Sequence, residues 1–205
     1  MYKKLAVTFS TILLAFFILS VSVLKAASIK YSFYQGANKD NGVIPEIEYQ
    51  LPYPGRILPD NPLWPLKALR DKLWLLVTLN RSRQAELMLL FADKRLVSSK
   101  ILFENGKAGL AYSTLTKAEK YLEMASTLVD ECWKSGVDSK NLSKQVALAA
   151  LKHRQVQEQL LNIAPEDAKP DIVKSISYSK EAYTLCKNSL LSRGIPAPEN
   201  PFNGD

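Results

Sequence analysis

The stretch "KAGLAYSTLTKAEKYLEMASTLVDECWK", residues 107–134, decides the fold class. It contains no proline, and its small or apolar residues recur alternately three and four positions apart. The members of this row are Ala108, Ala111, Leu115, Ala118, Leu122, Ala125, Val129 and Cys132. A mean spacing of about 3.5 residues is typical of a helix that packs lengthwise against other helices. The stretch therefore predicts a long helix inside a helical bundle.

Four further helices are predicted around this one. The second helix has a good stop signal, because Asn and Gly often follow the last helical residue. The first helix is predicted from Pro62 to Thr78, and the second from Ser82 to Glu104, just before Asn105-Gly106. The fourth is predicted to begin after the N-cap candidate Ser139, and the fifth near Pro165 or Pro170.

Three of these helices have clear rows that we expect to face the core. The rows are Leu66, Leu69, Leu73 and Leu76 in the first, Leu142, Val146, Ala149, His153, Val156 and Leu160 in the fourth, and Ile172, Ile176, Ser179, Tyr183, Cys186 and Leu190 in the fifth. Short connections between helices make sequence neighbours antiparallel. The predicted fold is all-α, an antiparallel bundle of about five helices preceded by a Pro-rich extended strap and an N-terminal apolar segment.

The N-terminal segment, residues 1–26, indicates export. A basic head, Met1 to Lys4, precedes twenty residues without a charge, Leu5 to Leu24. This pattern is typical of a signal peptide cleaved near Ala26 or Ala27, but it is also long enough for an uncleaved membrane anchor. Both alternatives place the rest of the chain outside the cytoplasm. Residues 27–44 read as a polar linker between this segment and the domain.

The Pro-rich strap, residues 45–61, leads into the bundle, residues 62–193, and residues 194–205 are expected to form a disordered tail. Tyr49, Tyr53, Trp64 and Trp74 are the candidate interaction residues, because a polyproline segment can present rings to a partner. Alternatively, the strap lies across the bundle and buries these rings. In that arrangement Asp60 or Asn61 caps the first helix. Pro65 disfavours a helical Trp64, so a further alternative is that regular helix begins only at this proline, after one tight turn.

Cys132 and Cys186 are a candidate disulfide. Both lie on core-facing rows near the ends of helices that run parallel, and thiols outside the cytoplasm can oxidise. Two buried free thiols are the alternative, and a redox-active pair is least favoured. His153 also lies on a core row, but about 20 Å along its helix from the pole of the two cysteines. We therefore expect a hydrogen-bonded core histidine, with no metal and no cofactor.

Several functional classes lack support in the sequence. There is no glycine-rich phosphate loop and no hydrolase triad pattern, so we expect no enzymatic activity. Without residues 1–26 the chain carries 24 Lys and Arg against 20 Asp and Glu, so its formal charge falls from +7 to +4. No basic stripe is interleaved with aromatic residues, which argues against nucleic acid.

The expected function is that of a non-enzymatic cell-envelope domain that mediates protein–protein or envelope-polymer contacts. Its expected partners are an envelope protein or a cell-wall polymer, together with the membrane through the N-terminal segment. The alternative is an extracytoplasmic ligand-binding or stress-sensing domain, with a pocket lined by His153 and the Ala-rich face of the third helix.

Three blocks of the sequence carry a family resemblance. They are "LPYPGRILPDNPLWPLKALRDKLWLLVT" (51–78), "RQAELMLLFADKRLVSSKILFENGK" (83–107) and "LAYSTLTKAEKYLEMA" (110–125). Together they resemble an uncharacterised bacterial family of exported helical domains, known only as a domain of unknown function. The resemblance covers roughly Tyr49 to Ala125. It implies a helical fold and an envelope location, and it supplies no catalytic residues.

Overall fold

A computed structural model describes residues 44–202. It has five helices: α1 (Trp64–Val77), α2 (Arg81–Glu104), α3 (Ala108–Lys134), α4 (Lys140–Leu160) and α5 (Lys169–Leu191). This part of the chain has no strand, so the predicted all-α class is confirmed. None of the five helices is long and apolar enough to cross a bilayer. The predicted signal or anchor segment, 1–26, and all of the linker except residue 44 lie outside the described residues.

Helices α2 to α5 form a four-helix bundle. α2 packs along α3, α4 packs along α5, and α3 also packs along α5. The row that predicted α3 is confirmed, because its members from Ala111 to Cys132 are almost completely buried. The positive φ of Gly106 allows the chain to turn after α2, at the predicted stop signal.

The core of the bundle has two apolar parts with a polar layer between them. One part includes Leu89, Leu122 and Leu151, and the other includes Leu96 and Leu115. Three buried polar residues lie between these parts, one each on α2, α3 and α4; they are Asp93, Glu119 and His153. Their positions along the three helices place them at the same level of the bundle.

α1 lies outside the four-helix bundle and packs mainly on α2. The prediction that its leucine row faces the core is wrong. Leu66, Leu69, Leu73 and Leu76 are 48% to 75% exposed, whereas Asp71 is the buried residue of this helix. The helix is therefore turned with its most apolar side towards solvent.

The strap crosses the bundle surface over α2 and α4. Ile47 is buried, its backbone N–H donates to the Gln155 side chain (3.0 Å), and its carbonyl accepts from Lys152 Nζ (3.1 Å). Leu51 packs against the second apolar part of the core. The strap therefore completes the core along its path.

The entry to α1 matches one of the alternatives left open by the sequence. A tight turn precedes the helix: the Trp64 N–H donates to the Asn61 carbonyl, and the Leu63 N–H donates to Asn61 Oδ1. Regular helix begins at Trp64, with Pro65 in its first turn. Asp60 does not cap the helix, because its carboxylate pairs with Lys107 at the start of α3 (2.6 Å).

The end of the described chain is packed on the bundle, in contrast to the disordered tail that the composition predicts. Phe202 is 7% exposed and joins the first apolar part of the core. The Arg154 guanidinium lies 4.2 Å from its ring centroid. The Tyr183 hydroxyl donates to the Pro198 carbonyl (2.7 Å). Packing of Phe202 against the core and Arg154, together with the hydrogen bond from Tyr183, thus holds this Pro-rich segment on α4 and α5.

Replacing Phe202 by Ala should lower the free energy of unfolding by about 2 kcal/mol, less than for a central core aromatic because this site is at the edge. Urea denaturation measures the loss. The control is Val173→Ala, because Val173 is 55% exposed on α5 and its change should cost less than about 0.5 kcal/mol. Equal stabilities of the two variants would contradict the packed position of Phe202.

Candidate functional site

The orientation of α1 is the most unusual surface feature of residues 44–202. Three of its charged residues, Lys67, Arg70 and Asp71, lie towards the bundle or along its edge, and its leucines point away. A surface helix normally buries its apolar side and exposes its charges. α1 is therefore an inverted amphipathic helix.

Asp71 holds the inner side of α1 by ion pairing. Arg70 donates to Asp71 Oδ1 through Nε (3.1 Å) and Nη2 (2.7 Å), and Arg95 Nη2 lies 3.8 Å from Asp71 Oδ2. Asp71 is 4% exposed and Arg95 is 6% exposed. Removing one partner of such a buried pair typically lowers the free energy of unfolding by about 4 kcal/mol, because the remaining charge is left unpaired. This cost opposes rotation of α1 away from its observed orientation.

Lys67 fastens α1 to the strap. Its Nζ donates to the carbonyls of Pro54 (2.6 Å) and Ile57 (2.9 Å) and lies 4.9 Å from the centroid of the Trp64 ring. Gly55 supports the loop between those carbonyls with φ of +90°, a conformation that disfavours other residues. Burial is the main reason that the pKa of Lys67 falls to about 8, despite the attraction of Asp71.

We call the exposed side of α1 the leucine face. It consists of Leu66, Leu69, Leu73, Leu76 and Val77, with Leu63 and Leu79 at its two ends. At 100° per residue the five helical members span one continuous arc, with Arg70 and Lys72 on its two borders. Large contiguous apolar patches on a soluble surface mark sites of interaction.

The four candidate interaction residues do not form one surface. The Tyr49 hydroxyl donates to Asp93 Oδ2 (2.7 Å), and burial followed by the charge of Asp93 raises the pKa of that hydroxyl. Trp64 and Trp74 are half-buried on the inner side of α1, where Trp74 meets Phe91 edge-on. Tyr53 is the one at the surface. Three of the four rings thus lie against the bundle, and the large exposed apolar surface of α1 is aliphatic.

His153 is the centre of the buried polar layer. Its Nδ1 lies 2.8 Å from Glu119 Oε1 and its Nε2 lies 3.0 Å from Asp93 Oδ1. Both His153 and Glu119 are 0% exposed. Glu119 Oε2 has no hydrogen-bond partner among the described residues. The expected hydrogen-bonded core histidine is thus placed between two carboxylates that the sequence reasoning did not identify.

The charge of His153 follows from these partners. Burial lowers the pKa of the imidazole. The nearby Glu119 carboxylate and the hydrogen bonds to Asp93 and Glu119 outweigh this effect and raise the pKa to about 9. The ring is therefore an imidazolium at neutral pH and donates from both nitrogens. His153 and Glu119 are closed off from solvent, and Asp93 is only 3% exposed.

A sequence signal for Asp93 and Glu119 does exist. Glu119 lies four residues after Leu115 and three before Leu122, so it falls on an apolar row of α3. Asp93 has the same relation to Leu89 and Leu96 on α2. A lone acidic residue on such a row needs a buried cation, and His153 is the cation on the facing helix.

Cys132 and Cys186 are both buried free thiols in the structure. This is one of the two main arrangements that the sequence left open. Burial, followed by the negative charge of Asp130, raises the pKa of the Cys186 thiol to about 12. A thiol with such a pKa is a poor nucleophile at neutral pH.

His153 and most of the Ala-rich face of α3, which were expected to line a pocket, are buried in the core. A cleft of about 390 Å³ lies instead on the α4–α5 side. It is lined mainly by polar and basic residues, including Ser179, Lys180, Thr184 and Lys187. The described residues contain no group of three or more His, Cys, Asp or Glu side chains arranged to hold a metal ion.

Comparison with known families matches residues 56–167 to a domain of unknown function, DUF5667. The matched segment covers more than half of the 205 residues. The chain belongs to this family. The segment runs from the end of the strap through α4, so it contains α1 and the whole polar layer, while α5 lies beyond it. Neither the curated proteins nor the solved structures gave a match.

The pKa of His153 should be near 9 when its ring resonances are followed by NMR. Because this value is above about 6.5 for the unfolded chain, the layer stabilises fully below pH 6.5 and loses about 3 kcal/mol as pH rises through 9.

Glu119→Gln should lower the pKa of His153, because it removes the carboxylate that contributes most. The matched control is Glu158→Gln, since Glu158 pairs with Arg154 on the same helix and should leave the pKa of His153 unchanged. A pKa of 6.5 or below in the native chain would mean a ring that is neutral at pH 7 and would contradict an imidazolium held between two carboxylates.

Proposed function

We propose that this chain is a non-enzymatic, extracytoplasmic helical domain that works by contact, and that the leucine face of α1 is its contact surface. The observation that carries the proposal is the inverted orientation of α1. A helix whose charges are fixed inwards and whose leucines are fixed outwards has an apolar surface available for a partner. The proposed partners are components of the cell envelope.

The buried polar layer supports a non-enzymatic role. Asp93, Glu119 and His153 are the residue types from which general acid–base catalysts are built. Here both nitrogens of His153 are bonded to the carboxylates, and the strap covers the layer through Tyr49. Among the described residues these atoms are bonded to one another and covered by the strap, which supports a role of the layer in packing.

The proposed location follows from the sequence. The basic head and apolar run of residues 1–26 favour export, and the family resemblance implies the same. Whether this segment is retained or cleaved, the domain lies outside the cytoplasm. The leucine face can then contact an envelope component whether the segment is retained or cleaved.

A benzophenone amino acid at Leu69 tests the contact in the living host. Benzophenone inserts into C–H bonds, so it captures a protein or a lipid acyl chain alike. We expect adducts at Leu69 because this residue lies in the middle of the leucine face.

Two control positions carry the same probe: Val173, an exposed apolar residue on α5, and Lys120, an exposed residue on α3. Neither belongs to the leucine face, so neither should form these adducts. Adducts of equal yield at Leu69 and Val173, or none at Leu69, would exclude the leucine face as the contact surface.

A further inference from the structure

We infer that the occupant of the leucine face is an anionic lipid bilayer surface. This inference rests on the proposed function, because it names the partner of the same surface. Its support comes from the shape of the face, from the charges around it and from the predicted anchor at the start of the chain.

The shape of the leucine face is that of a ridge. The four leucines of its row are each 48% to 75% exposed, so they project from the surface. The helix that carries them has 14 residues and is about 21 Å long. Amphipathic helices with such a ridge lie in the plane of a membrane and bury their apolar side chains about 5–10 Å into the headgroup region.

The charges around the ridge are positive. Asp71 is the one acidic residue of α1 and is buried, while Lys67, Arg70, Lys94 and Arg95 lie around it. Lys72 adds an exposed positive charge at the border of the ridge. Of these groups, Arg70 and Lys72 border the leucine face and are therefore the charges that anionic headgroups would attract when the leucines touch a bilayer.

The same charges argue against a second copy as the occupant. Pairing two leucine faces would bring Arg70 and Lys72 of one copy close to the same residues of the other. The exposed surface of α1 has no carboxylate to pair with them, because Asp71 is buried. Like charges facing each other across such a seam are repulsive, and helix pairs usually avoid this arrangement.

The N-terminal segment supplies the bilayer. Sequence predicts that Leu5 to Leu24 can remain as an anchor, and residues 25–43 then connect it to the described domain. Nineteen residues reach at most about 65 Å, so the leucine face can meet the membrane that holds the anchor. Such a tether makes docking intramolecular, and a weak contact is then sufficient.

The test reconstitutes the full chain in vesicles made of phosphatidylglycerol and phosphatidylcholine in equal parts. Leu73→Cys carries an environment-sensitive nitrobenzoxadiazole label, and spin-labelled acyl chains act as the quencher. At a depth of about 5–10 Å the label lies within reach of the spin-labelled acyl chains, so its emission should fall clearly. The same label at Glu181→Cys, on the exposed side of α5, should keep its emission although the tether is identical.

Two further variants separate docking from folding. Leu69→Glu places a negative charge in the middle of the leucine face and should abolish quenching at position 73. Val173→Glu is the matched change on α5 and should leave quenching intact. Both residues are exposed, so circular dichroism should show the same helical content in both variants. Vesicles of phosphatidylcholine alone should give weaker quenching, because the electrostatic attraction is lost.

Equal emission at positions 73 and 181 in the anionic vesicles would overturn the inference. If the benzophenone at Leu69 still captures an envelope protein in that case, the contact surface stands and its occupant is a protein. Self-quenching between labels at position 73 on two copies would identify a second copy as the occupant and would also overturn the inference.

Discussion

The buried carboxylate of Asp71 is the constraint on which the orientation of α1 depends. It is held by Arg70 beside it and by Arg95 from α2, and Lys67 ties the same side of the helix to the strap. A half-turn of α1 would bury the leucines, but it would expose these partners and the two tryptophans. Because the four leucines of the row stay exposed, the fold lacks about 1 kcal/mol of hydrophobic stabilisation for each of them, roughly 4 kcal/mol in total. That energy becomes available when a partner covers them. By itself it corresponds to a dissociation constant of about 1 mM, so tethering and charge must contribute to stable docking.

The polar layer and the strap connect the core to this surface. His153 joins α4 to α2 and α3 through Asp93 and Glu119, and Tyr49 joins the strap to the same layer. From Tyr49 the strap continues to Pro54 and Ile57, whose carbonyls receive Lys67 of α1. Hydrogen bonds at its two ends and the covalent strap between them therefore connect the centre of the bundle to the helix that carries the leucine face. The prolines of the strap limit its conformational freedom along this path and so reduce the entropy lost on ordering it.

The sequence predicted the bundle well because the burial of α3, α4 and α5 follows from their own periodicity. It failed at α1, where both sides of the helix contain large apolar residues and the choice between them depends on Arg95, which lies 24 positions after Asp71. It also missed the packed tail, because Phe202 is one aromatic residue in a segment that is otherwise polar and Pro-rich. The partners of His153 could have been found from the acidic residues on apolar rows, but their distances depend on how three helices pack. Interactions between distant segments decided each of these points.

The orientation of α1 is tested most directly by the rates at which single cysteines along it react with a maleimide in the native chain. Cys132 and Cys186 are buried and should react slowly, so they provide a low background. Cysteines at Leu66 and Leu73 should react quickly, and cysteines at the half-buried Ala68 and Leu75 should react much more slowly. The reverse order, with Ala68 and Leu75 accessible and the leucine row protected, would show that the leucines face the bundle and would contradict a docking role for this surface.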